Sequence, residues 1–123
     1  MKTLMTALTV ALLSCVGLAG SAADLSGTWD LEMKWSSDST STGVCIFKQE
    51  GYKLTGTCGS PDKFPIIGRV QNNKLYWQLD VEQSGTKGRM EFDGEVDEQG
   101  ATIQGSCSVV GGQDGTFTMK KRS

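Results

Sequence analysis

The residues of this chain with chemistry to offer are a row of carboxylates and a small set of cysteines. Glu91, Asp93 and Glu95 alternate with Met90, Phe92, Gly94 and Val96. Paired carboxylates serve as general acid and base when an apolar, concave setting drives their pKa values apart. A two-residue alternation instead puts all three on the wet face of a strand, where nothing separates them. Asp97, Glu98 and Asp114 fall in turns and lack the alternating oxygen ligands of a calcium loop. The chain contains no histidine. It therefore lacks the commonest general base, the commonest transition-metal ligand and the usual activator of serine and cysteine nucleophiles. Phosphate loops, dinucleotide fingerprints and nucleophile elbows are also missing. The expectation is a protein that is not an enzyme, with no catalytic residue, metal ligand or cofactor.

The cysteines point to structure. Cys45 opens the run Val44 to Gln49, and Cys58 closes the run Tyr52 to Cys58, with a turn at Glu50-Gly51 between them. If that turn has an even number of loop residues, Cys45 and Phe47 share a face with Leu54, Gly56 and Cys58. Two sulfurs on one side of neighbouring strands can bridge when their Cα atoms come within about 7 Å. The alternative is a pair of buried reduced thiols. Cys107 keeps the parity of Ile103 and Val109, and an inward cysteine behaves as a small apolar residue.

The compartment is read from the first residues. Lys2, the apolar run Leu4 to Leu13 and the small residues Ser21-Ala22-Ala23 match a cleavable signal peptide over residues 1–23. The apolar run is too short for a membrane span. One domain, 24–123, follows, expected to be periplasmic or secreted. A rival cut exists, because Leu12-Leu13-Ser14-Cys15 resembles a bacterial lipoprotein box. Cys15 would then carry a lipid anchor in the outer membrane. Twelve basic against 14 acidic residues give a net charge of −2, and loss of Lys2 makes it more negative. That balance argues against a nucleic-acid partner, and Lys120-Lys121-Arg122 reads as a solvated terminus.

The mature chain is a succession of short alternating runs. Trp29, Leu31, Met33 and Trp35 alternate with Thr28, Asp30, Glu32 and Lys34, the period of a half-buried strand. A polar loop, Ser36 to Gly43, leads to the two cysteine-bearing runs. Phe64 to Val70 and Lys74 to Glu82 follow, joined by Asn72-Asn73, a pair that tolerates positive φ. That two-residue turn sets Gly68 opposite Trp77. Gln83 to Lys87 turns the chain into the run from Met90 to Val96. Ile103 to Val109 and Thr116 to Lys121 complete the set. The apolar-x-Gly-x-apolar pattern recurs at Gly27, Gly56, Gly68, Gly94 and Gly105, as strong coiling or room for bulky neighbours would require. Eight strands with no helix between them predict an all-β, antiparallel up-and-down barrel, which leaves no open edge. The inward positions are Trp29, Leu31, Met33, Trp35, Phe47, Leu54, Ile66, Trp77, Leu79, Met90, Phe92, Ile103, Phe117 and Met119. Such an interior is either filled by its own side chains or holds one small ligand. In the second case Trp35, Trp77 and Phe92 line it, and the expected partner is a small apolar ligand taken up by a monomer.

Gly27-x-Trp29 on the first strand, eight consecutive strands and a basic residue ending the last one resemble the calycin barrels: lipocalins, avidins and fatty-acid-binding proteins. The resemblance implies that Trp29 closes one end of the barrel. A basic side chain from the last strand, Lys121 or Arg122, packs across it, and strand parity favours Lys121. No basic side chain faces inward to clamp a carboxylate. A second resemblance rests on Ala23-Asp24-Leu25-x-Gly27-x-Trp29-x-Leu31 followed by Cys45 and Cys58. It is similar to the start of bacterial periplasmic inhibitors of serralysin-type metalloproteases. These imply a small barrel with one disulfide and an N-terminal arm that enters a protease, so a protein-interaction module is the alternative function.

Overall fold

The computed structural model describes residues 24–83 and 85–123. The leader reading of 1–23 and the lipid-anchor reading of Cys15 lie outside them. Eight strands run in sequence: β1 (Gly27–Trp35), β2 (Thr40–Glu50), β3 (Lys53–Gly59), β4 (Phe64–Gln71), β5 (Lys74–Gln83), β6 (Thr86–Val96), β7 (Thr102–Val109) and β8 (Asp114–Lys121). Each pairs antiparallel with the next, and β8 pairs back to β1, closing the barrel. The expected up-and-down barrel is therefore the fold.

Register follows the turns. Gly51 (φ 63°) and Tyr52 form the two-residue loop between Glu50 and Lys53, so Cys45 faces Cys58 directly. Their Cα atoms are 4.0 Å apart and the disulfide is formed. Asn72 takes φ 58°, Gln71 meets Lys74, and Gly68 stands opposite Trp77 as expected. Three strands begin earlier than the apolar pattern shows. Thr40 to Gly43, read as loop, pairs with Lys34 to Leu31. Gln83 and Lys87, read as turn, pair with Thr86 and Glu82, and Asp114 pairs with Ser108. Polar strand ends carry no apolar alternation, and their pairing comes from the neighbouring strand.

The core is apolar, with no buried polar or charged residue among those described. Trp77 and Phe92 stack at 4.4 Å and 1°, while Phe47 and Phe117 meet Trp77 edge-on at 5.3 and 5.2 Å. Phe92 and Phe117 are also T-shaped at 5.3 Å. Such pairings add to what area burial alone contributes. Glycine makes them fit. A Cβ on Gly68 would lie 2.2 Å from the Tyr76 carbonyl and 2.6 Å from the Trp77 Cβ, and one on Gly94 would lie 2.9 Å from the Phe117 ring.

Candidate functional site

The two ends of the barrel differ, and that difference defines the candidate site. One end gathers the start of β1 and the end of β8, and it is sealed. Leu25 and Trp29 are fully buried there. Trp29 Nε1 donates to the Leu25 carbonyl at 2.9 Å, and the Leu25 N–H donates to Gln49 Oε1 at 2.9 Å. Ser26 Oγ accepts from the Gln49 N–H at 3.0 Å, so the incoming chain is tied to β2. Lys121 Nζ sits 5.8 Å from the Trp29 ring centroid and donates to the Asp24 carbonyl at 3.1 Å. Gly27, at φ 137°, explains the glycine of the Gly-x-Trp motif: a Cβ there would meet Lys121 Cε at 3.0 Å. Trp29 and Lys121 thus meet at this end of the barrel. Arg122 turns outward and forks onto Asp30, with Nη2 to Oδ1 at 2.7 Å and Nε to Oδ2 at 3.1 Å.

The other end has no such plug among the described residues. Its inward positions are Met33 and Trp35 on β1, Ser41 and Gly43 on β2, Phe64 on β4, Leu79 and Val81 on β5, Gly88 and Met90 on β6, and Val109 on β7. Phe64, Val81, Met90 and Val109 are only partly buried against the core. Trp35 turns its polar edge to the wall, donating from Nε1 to Ser41 Oγ at 3.1 Å. The glycines here differ from those deeper in the barrel. A Cβ on Gly43 would find nothing nearer than 3.7 Å, and one on Gly88 only Val81 Cγ2 at 3.8 Å. A methyl group at either position would sit in ordinary van der Waals contact, without the crowding found deeper in the barrel.

At its rim an open hollow of about 730 Å³ is bounded by Phe64, Val81, Gly88 and Val110, with Asp80, Glu82, Lys87 and Arg89 around them. The rim forms where the wall parts. Pairing of β4 with β5 stops at Ile66 and Leu79, while β5 and β6 continue through Asp80–Arg89, Val81–Gly88, Glu82–Lys87 and Gln83–Thr86. Pro65, next in line opposite Asp80, has no N–H to donate, which ends the ladder there. Arg89 Nε bonds Asp80 Oδ1 at 2.9 Å and holds that carboxyl below its ordinary range.

The three expected ligand residues are brought onto one row of the sheet. Trp77 faces Phe92, Phe92 faces Cys107, Cys107 faces Gly115, and Gly115 faces Trp35. They do not form one lining. Trp77 and Phe92 are 0% and 1% exposed and belong to the packed aromatic centre, whereas Trp35, at 8%, borders the mouth. Residues that sequence reasoning left out of the site are Phe64, Val81, Gly88 and Val109. Their inward parity was readable for Phe64, Val81 and Val109, but the parting of the wall beside Pro65 was not. Cys107 is buried, and burial together with the nearby Asp114 pushes its thiol up to about 11, so it stays protonated at neutral pH.

A larger concavity, about 1070 Å³, lies on the outside of the wall between Asp93, Glu95, Gln104, Thr116 and Thr118, over Gly94 and Gly105. It is a dip in a solvated face. Its carboxylates Asp93 and Glu95 face water as the alternation predicts.

No protein-family model matches this chain, and no curated protein sequence matches it. Solved structures share its fold, two redesigned β-barrels among them. A redesigned β-barrel, mFAP1, bound to DFHBI, superposes with a TM-score of 0.59 at 20% identity, covering 79% of this chain and 94% of that one. A second redesigned β-barrel, b11L5F_LGL, gives a TM-score of 0.54 at 20% identity over 84% of this chain and all of the other. At that identity the likeness is one of fold.

Proposed function

We propose that this chain is an exported, non-enzymatic binding barrel of the calycin kind that takes a small apolar ligand into its open end. The observation that carries this reading is the asymmetry of the ends: one is plugged by Leu25, Trp29 and Lys121, the other is apolar, only partly buried at Phe64, Val81, Met90 and Val109, and uncrowded at Gly43 and Gly88. A barrel of similar fold, mFAP1, has been seen bound to the small molecule DFHBI. The Cys45–Cys58 disulfide supports the export reading, because such bonds persist in oxidising compartments. Titration with Nile red, a neutral dye that brightens in apolar surroundings, tests the reading. Gly88→Phe, which fills the mouth, should abolish the signal, whereas Lys121→Ala at the sealed end should leave it. Equal signal from Gly88→Phe and the parent would refute the site.

A protein-interaction role is the second reading, and the parted wall favours it. The β5–β6 hairpin runs on for four residue pairs past the last contact of β4, leaving an unpaired strand edge of the kind that accepts an extended chain. On the inhibitor reading an arm would precede Asp24, because Leu25 and Ser26 are already tied into the plug. A protease complex that protects the Asp80–Arg89 hairpin from hydrogen exchange would support this role, and one that leaves it unprotected would count against it.

A further inference from the structure

Among the described residues one buried polar side-chain atom lacks a hydrogen-bond partner, Nε1 of Trp77. The other two tryptophans use the same group, Trp29 on the Leu25 carbonyl and Trp35 on Ser41 Oγ. Trp77 is fully buried between Phe92, Phe47 and Phe117, none of which offers an acceptor oxygen. A donor sealed away from water without a partner bears its whole desolvation cost. Phenylalanine would fill an aromatic slot here without that cost, so the orphaned N–H wants a reason.

The register supplies one. Leu79 pairs with Met90 one step nearer the mouth than the Trp77–Phe92 pair, and Val81 pairs with Gly88 one step beyond that. A column of apolar side chains thus leads from the rim to the indole, with no crowding at Gly88, where a Cβ would meet only Val81 Cγ2 at 3.8 Å. Leu79 and Met90 have rotatable side chains, and methionine repacks readily. We propose that the ligand of this barrel is a neutral apolar molecule carrying one acceptor oxygen (a ketone, ester or ether), and that the Trp77 N–H receives it. This rests on the mouth-binding reading. A carboxylate does not fit, because no buried residue among those described is charged and an unpaired anion in this core is heavily penalised. A plain hydrocarbon would leave the donor unsatisfied.

The test uses the full chain and three probes of one length: 2-nonanone, nonane and sodium nonanoate at neutral pH. Binding is followed by tryptophan fluorescence and by the indole N–H resonances of a ¹⁵N-labelled sample. The expected result is that 2-nonanone binds about five- to tenfold tighter than nonane. It should move the Trp77 N–H resonance downfield, which nonane should not. Trp77→Phe should lose that preference while still binding nonane. If the variant fails to fold, the resonance of the unaltered protein decides alone. An unmoved Trp77 N–H, equal affinities for ketone and alkane, or tighter binding of nonanoate would each overturn the inference while leaving mouth binding in place. If none of the three probes binds and Nile red also fails, the mouth reading falls and this inference with it.

Discussion

Two glycines on the inward faces of β4 and β6 show how much a single position decides. Gly68 and Gly88 both face the interior, yet a methyl group would meet very different surroundings at each. At Gly68 it would press on the Tyr76 carbonyl at 2.2 Å and on the Trp77 Cβ at 2.6 Å, both part of the wall. At Gly88 its nearest neighbour would be Val81 Cγ2 at 3.8 Å. Gly68→Ala is therefore expected to cost about 2–3 kcal/mol by overpacking. Gly88→Ala should stay within about 0.5 kcal/mol of the parent. Urea midpoints of the two variants check this, and equal losses would show that the mouth is as tightly packed as the centre. The same reasoning explains Gly27. It lets Lys121 lie across Trp29, so the Gly-x-Trp pair is a joint made by three residues.

Elements became legible from the sequence to the extent that their apolar residues alternate. Every strand was visible that way, and so was the face of each, because parity alone assigns Trp77, Leu79, Phe92 and Phe117 to the interior. The beginning of β2 was hidden because Thr40 to Gly43 contains nothing apolar, although Ser41 faces inward to accept from Trp35 Nε1. The extension of the β5–β6 hairpin was hidden for the same reason, its pairs Glu82–Lys87 and Gln83–Thr86 being polar. Parity places Trp35, Trp77 and Phe92 inside but gives no depth, which depends on register around the whole barrel. That is why one of them borders the mouth and two belong to the packed centre. The β2–β3 hairpin allows a direct test of what covalent closure adds. Its disulfide spans a sequence separation of 13, a loop whose entropy in the unfolded chain corresponds to about 3 kcal/mol. Replacing both cysteines, Cys45→Ala with Cys58→Ala, should lower unfolding free energy by about 2–3 kcal/mol without changing the register of the hairpin. Denaturant unfolding measures the first, and the cross-strand amide contacts of Phe47 and Gly56 report the second. A loss below about 0.5 kcal/mol would place the hairpin's stability in the sheet alone.

At the scale of the whole molecule, charge and thiol together set the pH range over which the barrel stands. Asp24, Asp30, Asp80 and Asp97 all lie below the ordinary aspartate range, each for a local reason. The Ser26 N–H bonds Asp24, Arg122 holds Asp30, Arg89 holds Asp80, and the Ala101 N–H bonds Asp97 at the β6–β7 turn. A carboxyl depressed on folding contributes stability that is present above its unfolded pKa, about 3.9, and lost as pH falls through the lower folded value. The acid limb should therefore begin near pH 4 and deepen below it. Cys107 works in the opposite direction. Burial first, and Asp114 second, raise its thiol to about 11, whereas an unfolded thiol ionises near 8.5. A group raised in this way contributes fully below its unfolded pKa, and that contribution fades as pH climbs toward its folded value. Tyr76, raised mainly by partial burial, adds to the same limb at higher pH. Urea midpoints between pH 3 and pH 11 should accordingly trace a dome. Cys107→Ala should flatten the alkaline side between about pH 8.5 and the folded thiol value while leaving the acid side unchanged. At pH 8 the parent thiol, 3% exposed, should react with a disulfide reagent only at the rate of opening. An alkaline limb that survives the substitution unaltered would assign it to Tyr76 instead.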